Sequence, residues 1–386
     1  MNSAVDRFAG WRRLWFAGLA AIVIGYALLG SLSPVSGDDP FFLLNDARWL
    51  VEHHEIPSVD HFSYTAQGQP WIYPVGGSLL FYGLWLIGGY ALLSWFAASA
   101  TAATTALLLR NGSVISAVLT ALAIPLIAVR TGVRADLFTT LLSAAYLALL
   151  WRYHKTGRAR LWLLPVLMIL WVNAHLGFFL GLGLIGGYIL VEGLEFFWPD
   201  RRRAAAERLW RAGPWFVVTA AGDSAHQPND YMGARKFPLL GGWLSREYPE
   251  GAISFIEREH IPAQILATLF GSYFTWRLWP KYLDYWDART IPFGREVLAQ
   301  LGWLAALPPE APEWQQAAEQ YDINAVLGVR GPLGFRLPEF CASRQWIPVY
   351  LDEVSAVFVR RRPENEEFNR LRIDCDTARM RGADRS

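Results

Sequence analysis

The sequence predicts an α-helical polytopic membrane protein with about six to seven transmembrane helices, an interfacial helix in the first outer loop, and a small C-terminal α/β soluble domain. Three observations carry that expectation. The 386 residues are 53% hydrophobic and only 18% charged, with mean hydropathy +0.20, which is too apolar for an ordinary soluble enzyme. Several apolar runs reach the roughly 17 to 25 residues that a bilayer core demands. Charge is also segregated: 35 basic and 34 acidic residues almost cancel, yet the basic ones gather in alternate links. A net charge of +1 gives no global argument for nucleic acid as a partner.

The first run, 14–32, follows Arg7, Arg12 and Arg13. It reads as an uncleaved anchor, because it is longer than the roughly 7 to 15 residues of a secretory signal core, with cleavage after the small residues at 31–33 as the alternative. A polar stretch, 33–74, forms the first loop. The apolar region 75–109 is too long for one simple span. Gly88-Gly89 is the expected break, leaving a re-entrant or interfacial helix over 76–87 and a second span over 90–109, against a competing count of two full spans. Spans three and four cover 113–129 and 135–151, joined by the turn 130–134. The region 161–198 holds two passes that meet at 173–175. The run 213–221 is too short to cross a core about 30 Å thick.

Basic residues assign the sides. Arg7, Arg12 and Arg13, then Arg110, then Arg152, Lys155, Arg158 and Arg160, then Arg201, Arg202, Arg203, Arg208 and Arg211 all fall inside. The first loop carries Asp38, Asp39, Asp46, Glu52, Glu55 and Asp60 against a single Arg48, and faces outward. Residues 1–221 therefore read as a membrane domain and 222–246 as a polar linker. Residues 247–362 read as the α/β domain, with strand-like runs at 264–270 and 325–329 and a hairpin over 346–359. Residues 363–386 read as a disordered, charge-rich tail. Cys341 and Cys375 are the two cysteines. They define no zinc or iron–sulfur framework, and an outer location permits a disulfide without requiring one.

Four groups of residues could carry chemistry. Asp38 and Asp39 could act as a general base, or hold a divalent cation such as magnesium or manganese against a phosphate leaving group; the competing reading is a solvated acidic loop. His61, with His53, His54 and Asp60, lacks the tight spacing of a metal site. Arg130 and Arg134 fall on the outer side, against the trend of the other short links. They suit a lipid phosphate, or pair with Asp136 or the acidic loop. Asn173 and His175 sit at the outer end of two apolar runs, where they line a cavity or bond between helices.

With those residues in view, the chain resembles the type C membrane glycosyltransferases, in particular a large bacterial branch of that superfamily. The resemblance rests on Asp38-Asp39-Pro40-Phe41, on Ile56-Pro57-Ser58-Val59-Asp60-His61-Phe62-Ser63-Tyr64-Thr65 with Gly68-Gln69-Pro70-Trp71, on Arg134-Ala135-Asp136-Leu137-Phe138, and on Trp171-Val172-Asn173-Ala174-His175. A second match lies at Tyr248-Pro249, Phe270-Gly271-Ser272-Tyr273, Tyr285-Trp286-Asp287-Ala288-Arg289 and 346–360. It implies sugar transfer with inversion from a polyprenyl-phosphate donor to a glycan, lipid or protein acceptor, at the outer face of a bacterial inner membrane. Asp38 or Asp39 would be the base, and Arg130, Arg134, Asp136, Asn173, His175 and His61 would bind substrate. The chain departs from the branch where 222–246 replaces further spans. The alternative function is a shortened, non-catalytic polytopic protein whose soluble domain binds a partner or an envelope polymer. A transporter is disfavoured, because the apolar runs lack inverted repeats and central charges.

Overall fold

The computed structural model describes residues 2–111, 113–220, 244–329 and 336–375. Most of the expected linker therefore lies outside the described residues. The chain forms two compact units, one of Met1–Val35 with Tyr73–Trp243, the other of Ser36–Ile72 with Leu244–Ser386.

The first unit is helical: α1 (Asn2–Ser31), α3 (Val75–Leu108), α4 (Val114–Arg130), α5 (Asp136–Thr156), α6 (Leu163–Ala174), α7 (Phe179–Glu195) and α8 (Pro199–Ala220), with α2 (Asp39–His53) belonging to the other unit. Three of these helices are long and apolar enough to cross a membrane, over Leu14–Ser31, Val75–Leu108 and Leu176–Glu195, while Val114–Ala128 and Leu163–Ala174 are shorter apolar helices. Large apolar side chains such as Ile22, Leu29, Leu122, Leu126, Ile169 and Leu190 are exposed, as a surface solvated by lipid requires. Helix α3 breaks where the paired glycines stand: Gly88 and Gly89 leave helical geometry, Gly89 at φ 58, a backbone region that glycine enters without cost. The packed interior gathers on Trp171, with Tyr146, Met168, Phe178, Tyr188 and Phe216 around it. Residues 213–220 are the end of α8, a 22-residue helix, so the run that is too short alone extends an arginine-rich first half.

The second unit is α/β. It contains α2, α9 (Glu250–Glu259), β1 (Ile265–Ala267), α10 (Gly271–Leu278), α11 (Gly294–Ala306), α12 (Pro312–Gln320), β2 (Ala325–Val329), α13 (Leu337–Ala342), β3 (Trp346–Leu351) and β4 (Ser355–Arg360). The sheet order is β1-β2-β4-β3, with β1 and β2 parallel and the other pairs antiparallel. Strands β1 and β2 are buried at every position, and β4 at all but the last, so both sheet faces are covered. Trp314, Trp346, Phe340, Phe358 and Tyr285 build the core beneath it.

The first loop is integral to this unit. Helix α2 buries Pro40 through Ala47, Ala66 joins the core, and Ser63 bridges to Asp284 in parallel register. The sequence assigns this loop to the membrane domain, and its apolar content is instead spent on unit two. The tail also differs from the disordered segment the sequence suggests. Pro363–Leu371 forms 3-10 turns packed on β3, and a Cys341–Cys375 disulfide pins the chain beyond them. Residues 376–386 lie outside the described residues.

Candidate functional site

Asp38 and Asp39 stand at the start of α2, in unit two. Asp38 places Oδ2 on the Ser272 amide and Oδ1 on the Tyr273 amide, both at 2.9 Å. It thereby supplies two of the acceptors that the first turn of α10 lacks. Burial raises its pKa to about 8 against the hydrogen bonds from Ser272, so near neutrality it favours the protonated form and is a poor base. Asp39 is half-buried in the first turn of α2.

Deeper in the same unit a buried arginine collects carboxylates. Arg289 Nε lies 3.0 and 2.9 Å from the two Asp287 oxygens and Nη2 lies 2.5 Å from Oδ2. The same Nη2 pairs with Asp60, and the guanidinium lies 4.9 Å from the Phe62 ring centroid and 5.4 Å from that of Trp71. Asp60 also accepts from the amides of Phe62 and Ser63. Asp46 accepts from Trp71 Nε1 at 3.0 Å, and burial pushes it up to about 7 against the pull of Arg289. Asp284 accepts the amides of Ala267 and Tyr285 through Oδ1 while Oδ2 is buried without a hydrogen bond; burial pushes Asp284 well up, and Asp287 up as well. A Cβ on Gly271 would stand 2.2 Å from Asp284 Oδ2, so the helix start needs glycine there. This cluster is closed to solvent and the cationic position is taken by Arg289. It works as a polar core that ties the first loop to 284–289.

His61 belongs to unit two as well. It stacks on Trp49 at 3.6 Å while His53 stacks on the same indole at 3.8 Å. Two near-parallel rings at such distances take opposite faces, and burial lowers the His61 pKa. Histidines 53, 54 and 61 do not assemble as a ligand set. Among the described residues, the three-residue set with ligand atoms within 4.8 Å of one another is His154, Glu192 and Glu195. There Arg208 already supplies the cation: Nη2 stands 2.7 Å from Glu192 and 2.7 Å from Glu195.

The remaining candidates lie in unit one, and most of them meet. Arg130 Nη1 donates to Asp136 Oδ2 at 3.1 Å, and His175 Nε2 lies 3.3 Å from Asp136 Oδ1. Arg134 is half-buried in the same turn. Asn173 points elsewhere, its amide donating to the Ile169 carbonyl one turn back at 2.8 Å. The backbone of α3 closes on this place: a Cβ on Gly76 would lie 2.6 Å from the Asn173 carbonyl, and one on Gly77 2.4 Å from that of Ala174. Thr139, which sequence reasoning passes over, joins the group with its hydroxyl 2.7 Å from His175 Nδ1. Its spacing from Asp136, one helical turn, is the signal that could have found it. Chemically, the turn offers one guanidinium held by a carboxylate that also meets an imidazole, with the half-buried Arg134 in the same turn, groups of a kind suited to phosphate oxygens.

No family model, no curated protein and no solved structure matches this chain.

Proposed function

We propose that the protein is a membrane glycosyltransferase of the type C kind, moving a sugar from a polyprenyl-phosphate donor to an envelope acceptor at the outer face of a bacterial inner membrane. The observation that carries this reading is the turn bearing Arg130 and Arg134, in which Asp136 holds Arg130 and meets His175, between apolar helices. A lipid phosphate leaving group gains negative charge as the glycosidic bond breaks, and fixed guanidinium groups stabilise that charge. Asp38 is built into α10 and protonated near neutrality, so the reading gives the base to Asp39.

The side follows from two arguments. A disulfide is stable in an oxidising compartment, and the Cys341–Cys375 bond supports an outer location for unit two. Because Ser36–Ile72 and Leu244–Ser386 fold as one unit, an even number of crossings must separate them. Spans in α3, α4, α5, α6 and α7 number five, and α8 supplies the sixth after the loop, making seven in all. After the inner Arg203, α8 has 17 residues left, 204–220, about 26 Å at a rise of 1.5 Å per residue, and within them Arg208 is met by Glu192 and Glu195 and Arg211 by Glu207.

The test is transfer from a labelled polyprenyl-phosphate sugar by the full chain in nanodiscs. Arg134→Ala should lower turnover at least about tenfold, the order expected for one lost charge-assisted contact, and Asp39→Asn should abolish it. No turnover with any donor would favour the second reading, a non-catalytic polytopic protein. The enclosure of five carboxylates and Arg289 as fold-holding groups is the observation on that side.

A further inference from the structure

The helices of unit one share one order of side chains where they meet the corners 157–162 and 196–198. On α5 the exposed Leu147, Trp151 and Lys155 stand four residues apart, so they form one stripe that runs from apolar to aromatic to cationic. The stripe reverses on α6, where Arg158 and Arg160 precede the exposed Trp162, Val166 and Leu170. At the second corner the exposed Leu190 and Leu194 lead to Trp198 and then to Arg202 and Arg203. His154 Nδ1 of α5 lies 2.9 Å from Glu192 Oε1 of α7, which brings both corners to one end of the unit. Exposed tryptophans between apolar surface and charge mark a headgroup layer.

Positive charge at this end is in excess. Residues 152–211 hold nine basic and four acidic side chains. Glu192 and Glu195 are taken by Arg208, Glu195 also by Arg201, and Glu207 by Arg211. Among the described residues, Arg152, Lys155, Arg158, Arg160, Arg202 and Arg203 form no ion pair with a carboxylate. Two of them rest on rings instead, Lys155 Nζ at 4.8 Å from the Trp151 centroid and the Arg202 guanidinium at 4.5 Å from that of Phe196. The inside preference of basic residues asks only that they lie on this side. It does not ask that six be left over once the local acids are paired. We propose that this end of unit one is a binding surface for anionic phospholipid, whose headgroup phosphate takes the arginines while its acyl chains lie on the apolar part of the stripes. Guanidinium forks match phosphate oxygens two at a time. A zwitterionic headgroup gains less here, because its own ammonium offsets its phosphate. The inference does not depend on sugar transfer; it requires that unit one lies in a bilayer.

The test is native mass spectrometry of the full chain, released from detergent after incubation with equimolar phosphatidylglycerol and phosphatidylethanolamine. The wild type should retain phosphatidylglycerol at least about fivefold over phosphatidylethanolamine, the factor that one cation near an anionic surface supplies. Arg158→Gln with Arg203→Gln should bring the two lipids to within about twofold of each other. Arg295→Gln with Arg344→Gln removes the same charge from exposed positions of unit two and should leave the preference unchanged. Arg158→Lys with Arg203→Lys should keep part of the preference, since the charge stays and the fork is lost. If the Arg158 and Arg203 glutamine double does not fold, each single variant must lower the preference by itself. Equal retention of the two lipids by the wild type overturns the proposal. Equal loss in both glutamine doubles overturns it too, because net charge rather than this surface would then be selecting the lipid. Displacement of the retained phosphatidylglycerol by millimolar inorganic phosphate would overturn the lipid assignment in favour of a free-anion site.

Discussion

Asp38 shows how a side chain that sequence singles out for catalysis can be used by the fold. Its two acceptor bonds reach residues 234 and 235 positions away, a distance that no local spacing reveals. Truncating it to alanine leaves two helix-end amides without a partner, at a cost of about 1 to 3 kcal/mol. Asp38→Ala should speed hydrogen exchange across 38–48 and 270–278, with Asp39→Ala leaving those amides within threefold of wild type. Arg289 and Asp60 are equally hidden, because their pairing joins positions 229 apart in sequence. By contrast Asp136 and His175 are legible, since a charge and an imidazole next to apolar runs must be used.

The raised carboxyl groups also set a pH dependence. A carboxyl whose folded pKa lies above its ordinary value binds its proton more tightly when folded, so it stabilises fully below that ordinary value and the contribution is lost as pH rises through the folded pKa. Asp38 and Asp46 move from 3.8 to about 8 and about 7. Unit two should therefore lose stability steadily between about pH 4 and pH 8. Hydrogen exchange of 38–48 and 265–289, corrected for the intrinsic rate, should be slower at pH 5.5 than at pH 8.5; the opposite order would refute the protonated state of these groups.

At the level of elements, apolar runs and glycine breaks are legible in the sequence, while long-range pairings are not. Gly88-Gly89 marks the α3 break because glycine acts on its own backbone. The boundaries of α4, α5, α6 and α7 follow apolar runs. Helix α2 was not legible, because its buried face is continuous from Pro40 to Ala47 rather than periodic. Composition misleads for 363–375: its charge suggests disorder, but Cys375 lies 34 residues from the cysteine that holds it. Closing a loop of that length is worth about 3 to 4 kcal/mol in the chain-entropy account. Cys375→Ser should lower the melting midpoint of the full chain and free Pro363–Leu371 to proteolysis.

Helix α8 is held by its ion pairs as well as by packing. Arg208 meets Glu192, fully buried, and Glu195, so removing the arginine alone strands two carboxylates. Arg208→Ala should destabilise the first unit by about 3 to 5 kcal/mol, and Arg208→Met with Glu192→Gln should recover much of it. Equal loss in single and double variants, measured by thermal unfolding in detergent, would mean that the arginine acts through packing alone.

For the whole molecule, the composition of unit two governs everything else. A first loop and a C-terminal region that fold together must share one side of the membrane, whatever the number of spans. Sequence hydropathy alone leaves the C-terminal region on the inner side after six spans, because the run 213–221 is too short to cross by itself. The proposed topology, which the disulfide and the shared core support, has both segments outside. The measurement that tests this most directly is labelling of single introduced cysteines by a membrane-impermeant maleimide in intact spheroplasts, at the exposed positions Gln67, Glu310, Arg158 and Arg203. The native cysteines are paired and do not react. The expected result is labelling at Gln67→Cys and Glu310→Cys and none at Arg158→Cys and Arg203→Cys until the membrane is opened. Labelling of Gln67→Cys without Glu310→Cys would contradict a unit built from both segments and the outer active face with it.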